Sequence, residues 1–302
     1  MHIVLTCINN FQDYILTNIK QLIRLGHTSI YVITNRSFFT KFSTYSENIN
    51  LVAIEELVDS YNYNENTQLD NQFRGGFWAL TSARFFYLYE FMRSRDIENV
   101  IHLENDVLIY HNIDILEILL DKTKIYLPFD TFTRNIASVM FIPNHSVFNT
   151  VLDKYDFSKN DMENFSIIQR QTGIIENFPI FINDPNGSPE YQFVTRGFEN
   201  FNMIFDAAAM GQYLGGVDPR NIPGDTRGFV NETCIIKYNQ YQFIWNTMNV
   251  RTNRNSSHSF TSNADEHDIR CPFIVVTDGN GNSYSVPIFN LHIHSKNLEN
   301  FT

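Results

Sequence analysis

Apolar and polar positions alternate along the first hundred residues in blocks that predict strands and helices in turn. His2–Cys7 is a short apolar run closed by Asn9-Asn10, and reads as a strand. Asp13–Leu25 sets Ile15, Ile19, Leu22, Ile23 and Leu25 near helical spacing, with Gly26 as a stop. Ser29–Thr34 and Leu51–Ile54 read as two further strands. That order is a βαβ unit with buried parallel strands, in which ligands sit beyond the carboxyl ends of the strands. Thr6-Cys7-Ile8-Asn9 and Asn35-Arg36 therefore edge a candidate pocket. Within Phe73–Arg95, the run from Trp78 onward predicts a mostly buried helix with Arg84 as its odd member. A buried Arg needs an anion, either a core carboxylate or a ligand phosphate. Phe77 and Trp78 are core residues or a wall on which a base stacks.

Val100–Tyr110, Val-Ile-His-Leu-Glu-Asn-Asp-Val-Leu-Ile-Tyr, is an apolar run with Glu104 and Asp106 in its middle. On an extended strand, residues two apart share a side, so the two carboxylates converge. Converging oxygen donors suit a hard cation such as Mg²⁺ or Mn²⁺; the plainer reading is an acidic turn after a buried strand. Beyond it the pattern predicts a helix at Asn112–Leu120, strands at Lys124–Pro128 and Ala137–Pro143, and a helix at Ser146–Tyr155. From Asp156 to Arg196 the periodicity loosens, and Asn183–Pro189 gathers turn formers into a loop. Phe205–Leu214 predicts a helix. Asn249–Asp268 is Ser- and Asn-rich and is expected to be mobile. Phe273–Thr277 and Ser283–Ile288 predict a hairpin about Gly279–Asn282.

The chain finishes with a strand-like run carrying His292, His294 and Lys296 on one side. Imidazole joins carboxylates readily around Mn²⁺, and a Lys beside them can neutralise a phosphate; half-exposed edge residues are the alternative. Asp206 and Gln212 lie among small residues that allow a close approach, where Asp206 is a helix N-cap, a substrate contact, or both. Asp218, Arg220, Arg227 and Glu232 follow in loops.

Composition narrows the classes. The chain has 302 residues, 43% hydrophobic and 15% aromatic, enough for a sizeable core. A net charge of −11 argues against non-specific nucleic-acid binding. Three widely spaced cysteines, Cys7, Cys234 and Cys271, show no C-x-x-C spacing and fit reduced thiols. The N-terminus carries no signal-peptide pattern and no run reaches the length of a membrane span, so a soluble, cytoplasmic protein is expected. Phosphate-loop, dinucleotide and serine-hydrolase motifs are absent from the sequence.

An N-terminal βαβ half, an Arg-bearing helix, an apolar strand ending in Glu104-Asn105-Asp106, and a late His and Lys together resemble the GT-A glycosyltransferases, whose usual motif is Asp-x-Asp. The resemblance implies an α/β fold: a Rossmann-type mixed sheet flanked by helices in a single domain over residues 1–302. Its nucleotide-sugar half would span about residues 1–112 and its acceptor half about 113–302, with the C-terminal strand returning to the metal site. It implies an enzyme that moves a sugar from a nucleotide-diphosphate sugar, a UDP-sugar first, to a glycan or protein hydroxyl. By the same resemblance Glu104, Asp106, His292 and His294 would hold Mn²⁺ or Mg²⁺. Thr6, Cys7, Asn9, Asn35, Arg36, Phe77, Arg84, Asn105, Gln212 and Lys296 would bind the donor. A carboxylate among Asp206, Asp218 and Glu232 would serve the acceptor hydroxyl. Glu in place of the first Asp, and the short His-to-Lys spacing, depart from the family pattern. The rival readings are a binding module without turnover and a metal-dependent phosphoesterase or nucleotidyltransferase.

Overall fold

Buried apolar runs decide the centre of the fold. His2–Cys7 (β1) and Ile30–Thr34 (β2), joined by helix Ile15–Arg24 (α1), pair in parallel with Ile3 beside Ile30 and Cys7 beside Thr34. Asn50–Ala53 (β3) extends the sheet past β2. A short helix, Tyr63–Asn66 (α2), precedes the long Phe77–Arg95 (α3), which returns the chain so that Val100–Leu103 (β4) pairs in parallel with β1. Phe85, Leu88, Phe91 and Met92 of α3 are fully buried; a helix this apolar on all sides belongs in the interior. The structure, a computed structural model, describes residues 1–214, 234–251, 266–277 and 281–302.

Val107–Ile109 (β5) follows a turn, and Ile125–Thr131 (β6), Arg134–Asn135 (β7) and Val139–Ile142 (β8) continue the sheet. Helices His145–Leu152 (α4) and Asp161–Thr172 (α5) lead to Ile175–Phe178 (β9), which pairs in parallel with β6. The sheet runs β3-β2-β1-β4-β8-β6-β7, parallel from β3 to β4 and antiparallel from there across β8 and β6 to β7. It is a mixed α/β sheet flanked by helices, as expected. Helices Pro189–Thr195 (α6) and Phe198–Phe201 (α7) come next. Gln242–Arg251 (β10), Glu266–Thr277 (β11) and Ser283–Pro287 (β12) form an antiparallel sheet, with Thr277 opposite Ser283 in the expected hairpin. Asn290–His292 (β13) runs antiparallel to β5.

Several expectations are corrected. Val100–Tyr110 is two strands, β4 and β5, separated by a turn at Glu104–Asp106. The two carboxylates therefore converge through a bend and not through strand alternation. Asn112–Leu120 holds only a single tight turn at Ile113–Leu116, opened by the Asn112 side chain accepting from Asp114 N–H. Phe205–Leu214 is no α-helix: only Gly211–Tyr213 makes a helical turn, and Ala208 has φ of 60°. Helix α5 fills part of the stretch where periodicity had loosened. The ends of the predicted mobile segment, 249–251 and 266–268, belong to β10 and β11, and residues 252–265 lie outside the described residues.

Candidate functional site

Backbone pairing builds the site before any charge is considered. The turn between β4 and β5 is closed by Val107 N–H donating to Glu104 O at 3.1 Å. The Asn18 amide of α1 donates to the carbonyls of Glu104, Asn105 and Val107 at 3.3, 3.2 and 2.8 Å. The Asn105 amide in turn donates to Thr6 O at 2.7 Å, which pins the turn to the end of β1. The C-terminal strand arrives on the other side: His292 pairs with Val107, and Ile293 N–H donates to Asp106 O at 2.9 Å.

These constraints bring His292 Nε2 to 3.3 Å from both Glu104 Oε2 and Asp106 Oδ2. One ligand atom from each of the three residues lies within 4.8 Å of the others. Arg84 Nη1 pairs with the other Glu104 oxygen, and its Nη2 is 3.3 Å from Asp161 Oδ2. Lys296 Nζ pairs with Asp106 Oδ2. Burial disfavours charge throughout, yet Arg84 and His292 hold the Glu104 carboxyl below its ordinary range. Against the same burial, Lys296 and His292 hold Asp106 well below its range. At His292 burial opposes the proton, but Asp106 and Glu104 raise its affinity. At Asp161 burial wins over Arg84, and its carboxyl is pushed up. Two carboxylates and an imidazole within a few ångströms are a donor set that fits Mn²⁺ or Mg²⁺. The Lys296 ammonium stands on Asp106 where a bound cation would place its charge.

The cluster faces a cavity of about 940 Å³. The ends of β1 and β4, the start of α3, the β6–β7 turn and the start of α5 all contribute to its wall. Of the residues singled out from sequence, Thr6, Asn9, Phe77, Arg84, Glu104, Asn105, Asp106, His292, His294 and Lys296 line it. The His294 ring lies against that of His292, with centroids 4.6 Å apart.

Other expected residues do not reach the cavity. Cys7 is buried in the core, where burial pushes its thiol up to about 11. Asn35 braces Asn9 from behind, accepting from its N–H at 2.6 Å. Arg36 is drawn outward to Glu56, and Glu55 accepts from its N–H at 3.0 Å. Gln212 is buried away from the cavity wall. Asp206 is fully buried and its carboxylate accepts four main-chain N–H groups, so it has no oxygen to offer an acceptor hydroxyl. Asp218 and Glu232, with Arg220 and Arg227, lie outside the described residues.

Sequence reasoning passed over Asp161, which lines the cavity and accepts from Thr81 Oγ1 and Ser82 Oγ, each at 3.4 Å, besides Arg84. A signal for it existed. Asn160 caps α5 with its side chain, Asp161 and Glu163 fill the first turn, and Gly173 ends it at φ 62°; these are helix start and stop signs. Gln12, Tyr14, Arg74 and Arg134 also line the cavity and carried no legible pattern.

No protein-family model matches the chain, and no curated protein sequence matches it. Among solved structures it is similar to mouse xyloside xylosyltransferase 1 at 13% identity and a TM-score of 0.43, over 65% of this chain and 93% of that one. It is similar to the galactosyltransferase LgtC at 17% identity and a TM-score of 0.43, over 65% and 83% of the two chains. A cytidylyltransferase from Leptospira borgpetersenii aligns at 9% identity and a TM-score of 0.37, over 67% and 83%. At such distances these likenesses carry no argument about chemistry, which has to come from the side chains.

Proposed function

We propose that this chain is a glycosyltransferase of the GT-A type, moving a sugar from a nucleotide-diphosphate sugar, a UDP-sugar first, to a glycan or protein hydroxyl with the aid of Mn²⁺ or Mg²⁺. The observation that supports it most is the meeting of Glu104, Asp106 and His292 beside Lys296 and Arg84 on one wall of a large cavity at the carboxyl ends of β1 and β4. Glu104, Asp106 and His292 would hold the cation, with His294 beside them. When bound, the cation would stabilise negative charge as the diphosphate departs. Lys296, which pairs with Asp106, would turn to a phosphate oxygen when that carboxylate holds a cation. Thr6, Asn9 and Asn105 would surround the nucleoside, and Phe77 offers it a ring. Arg84 keeps Glu104 ionised and oriented. With Asp206 committed to main-chain donors, Asp218 and Glu232 remain the proposed carboxylates for deprotonating the acceptor.

The test is release of nucleoside diphosphate from a panel of nucleotide sugars with Mn²⁺, paired with calorimetric donor binding. Asp106→Ala should fold and lose metal-dependent donor binding; unchanged affinity refutes the reading. Release of pyrophosphate would replace it with a nucleotidyltransferase, and tight binding without release with a binding module.

A further inference from the structure

Asp206 sits in a loop whose Ala-rich sequence favours a helix, yet the chain leaves helical geometry there. Its carboxylate explains why. Oδ1 accepts from the N–H groups of Ala209 and Met210 at 2.7 and 2.9 Å. Oδ2 accepts from Gly211 N–H at 2.7 Å and from His292 N–H at 3.0 Å. Four donors on two oxygens require a carboxylate, because an amide offers one acceptor oxygen and two donors of its own. The remaining contacts extend the knot to β13 on one side and to the Glu104 turn on the other. Asp206 N–H donates to Asn290 Oδ1 and the Asn290 amide donates to Asp206 O, each at 3.2 Å. Ser138 Oγ donates to Asp206 O at 3.2 Å, and Ser138 O accepts from Glu104 N–H at 2.9 Å. Gly211 closes the loop against the strand so tightly that a Cβ there would lie 2.2 Å from His292 O.

We infer that Asp206 and Gly211 are positioning residues that lock the main chain of His292 in register, so that its imidazole meets Glu104 and Asp106 without reorganisation. This rests on the reading of His292 as a metal ligand. β13 has only three residues and pairs with an equally short β5, so the strand pairing is a weak anchor by itself. The buried Asp206 side chain adds a hydrogen bond to the His292 N–H from outside the strand pair. Partners one step behind a metal ligand commonly govern affinity by about ten- to a hundredfold.

The experiment titrates Mn²⁺ into the full chain, reading free Mn²⁺ by electron paramagnetic resonance, with circular dichroism and melting temperature measured on the same samples. Asp206→Asn keeps the volume but replaces one acceptor oxygen with a donor. It should bind Mn²⁺ about ten- to a hundredfold more weakly while remaining folded. A merely structural Asp206 would lower the melting temperature and leave the affinity of the folded protein unchanged, and that result overturns the inference. Gly211→Ala, which displaces the His292 carbonyl without touching a charge, should show the same loss. His292→Ala is the control for the metal reading: if it binds Mn²⁺ as the parent chain does, that reading fails, and a normal Asp206→Asn beside a defective His292→Ala fails the clamp alone. Should both clamp variants fold too poorly to titrate, amide exchange in the parent chain decides. Mn²⁺ should slow exchange at Ala209, Met210 and Gly211 together with His292, and unchanged exchange in the loop overturns the inference.

Discussion

Arg84 is the charge on which the carboxylate cluster depends, and its removal can be priced from the structure. Its side chain is 9% exposed and lies between Glu104 and Asp161, both partly or wholly buried. Two unit charges at the 3.3 Å that separates Nη2 from Asp161 Oδ2 attract by about 5 kcal/mol at an effective dielectric near 20. Desolvation offsets part of this, leaving a net coupling of about 2–3 kcal/mol. Arg84→Met would strand two carboxylates and should cost about 3–5 kcal/mol. Asp161→Asn leaves Arg84 its Glu104 partner and can retain the Thr81 or Ser82 contact, so it should cost about 1–2 kcal/mol. The double variant no longer strands Asp161 and should be less destabilised than the sum by that coupling. Urea unfolding of the four proteins in EDTA at neutral pH measures each corner of the cycle. If the two single effects add within about 0.5 kcal/mol, the Arg84–Asp161 pair is not coupled and the electrostatic account of the cluster is wrong.

Two further outcomes follow from other charges. Lys296→Met removes the ammonium that pairs with Asp106, so Mn²⁺ should bind more tightly and a nucleoside diphosphate about ten- to a hundredfold more weakly, as calorimetry would show; parallel changes in both would contradict the proposed exchange of Lys296 between carboxylate and phosphate. His27 is buried, which lowers its pKa from 6.5 to about 4. Between those values the unfolded chain binds more protons, so stability is complete above about pH 7 and falls as the pH drops, by about 2 kcal/mol at pH 5. His27→Leu should flatten that acid limb in urea titrations, and an unaltered slope would show that His27 is not its source.

The amino-acid sequence by itself determined which segments are buried and, roughly, what each is. The runs behind β1, α1, β2 and β4 carry their own periodicity, and periodicity reports which face of an element leaves water; the late run expected to stay extended to Lys296 ends as a strand at His292 and turns, with Lys296 at φ 63°. For the same reason Glu104, Asp106 and His292 stood out: polar groups inside apolar runs demand partners. What sequence could not supply was the identity of those partners. Asp161 meets Arg84 only because α5 packs beside α3, 77 positions away along the chain. Arg36 leaves the pocket because Glu55 and Glu56 lie within reach on the next segment. Asp206 was legible as a capping residue, and capping is what it does, but around a loop closed on β13 and not at the head of a helix. Local propensity is worth tenths of a kcal/mol to about 1 per residue. A buried carboxylate with four donors outweighs that, and one of those donors, the His292 N–H, lies 86 residues away along the chain and is brought in only by the tertiary fold.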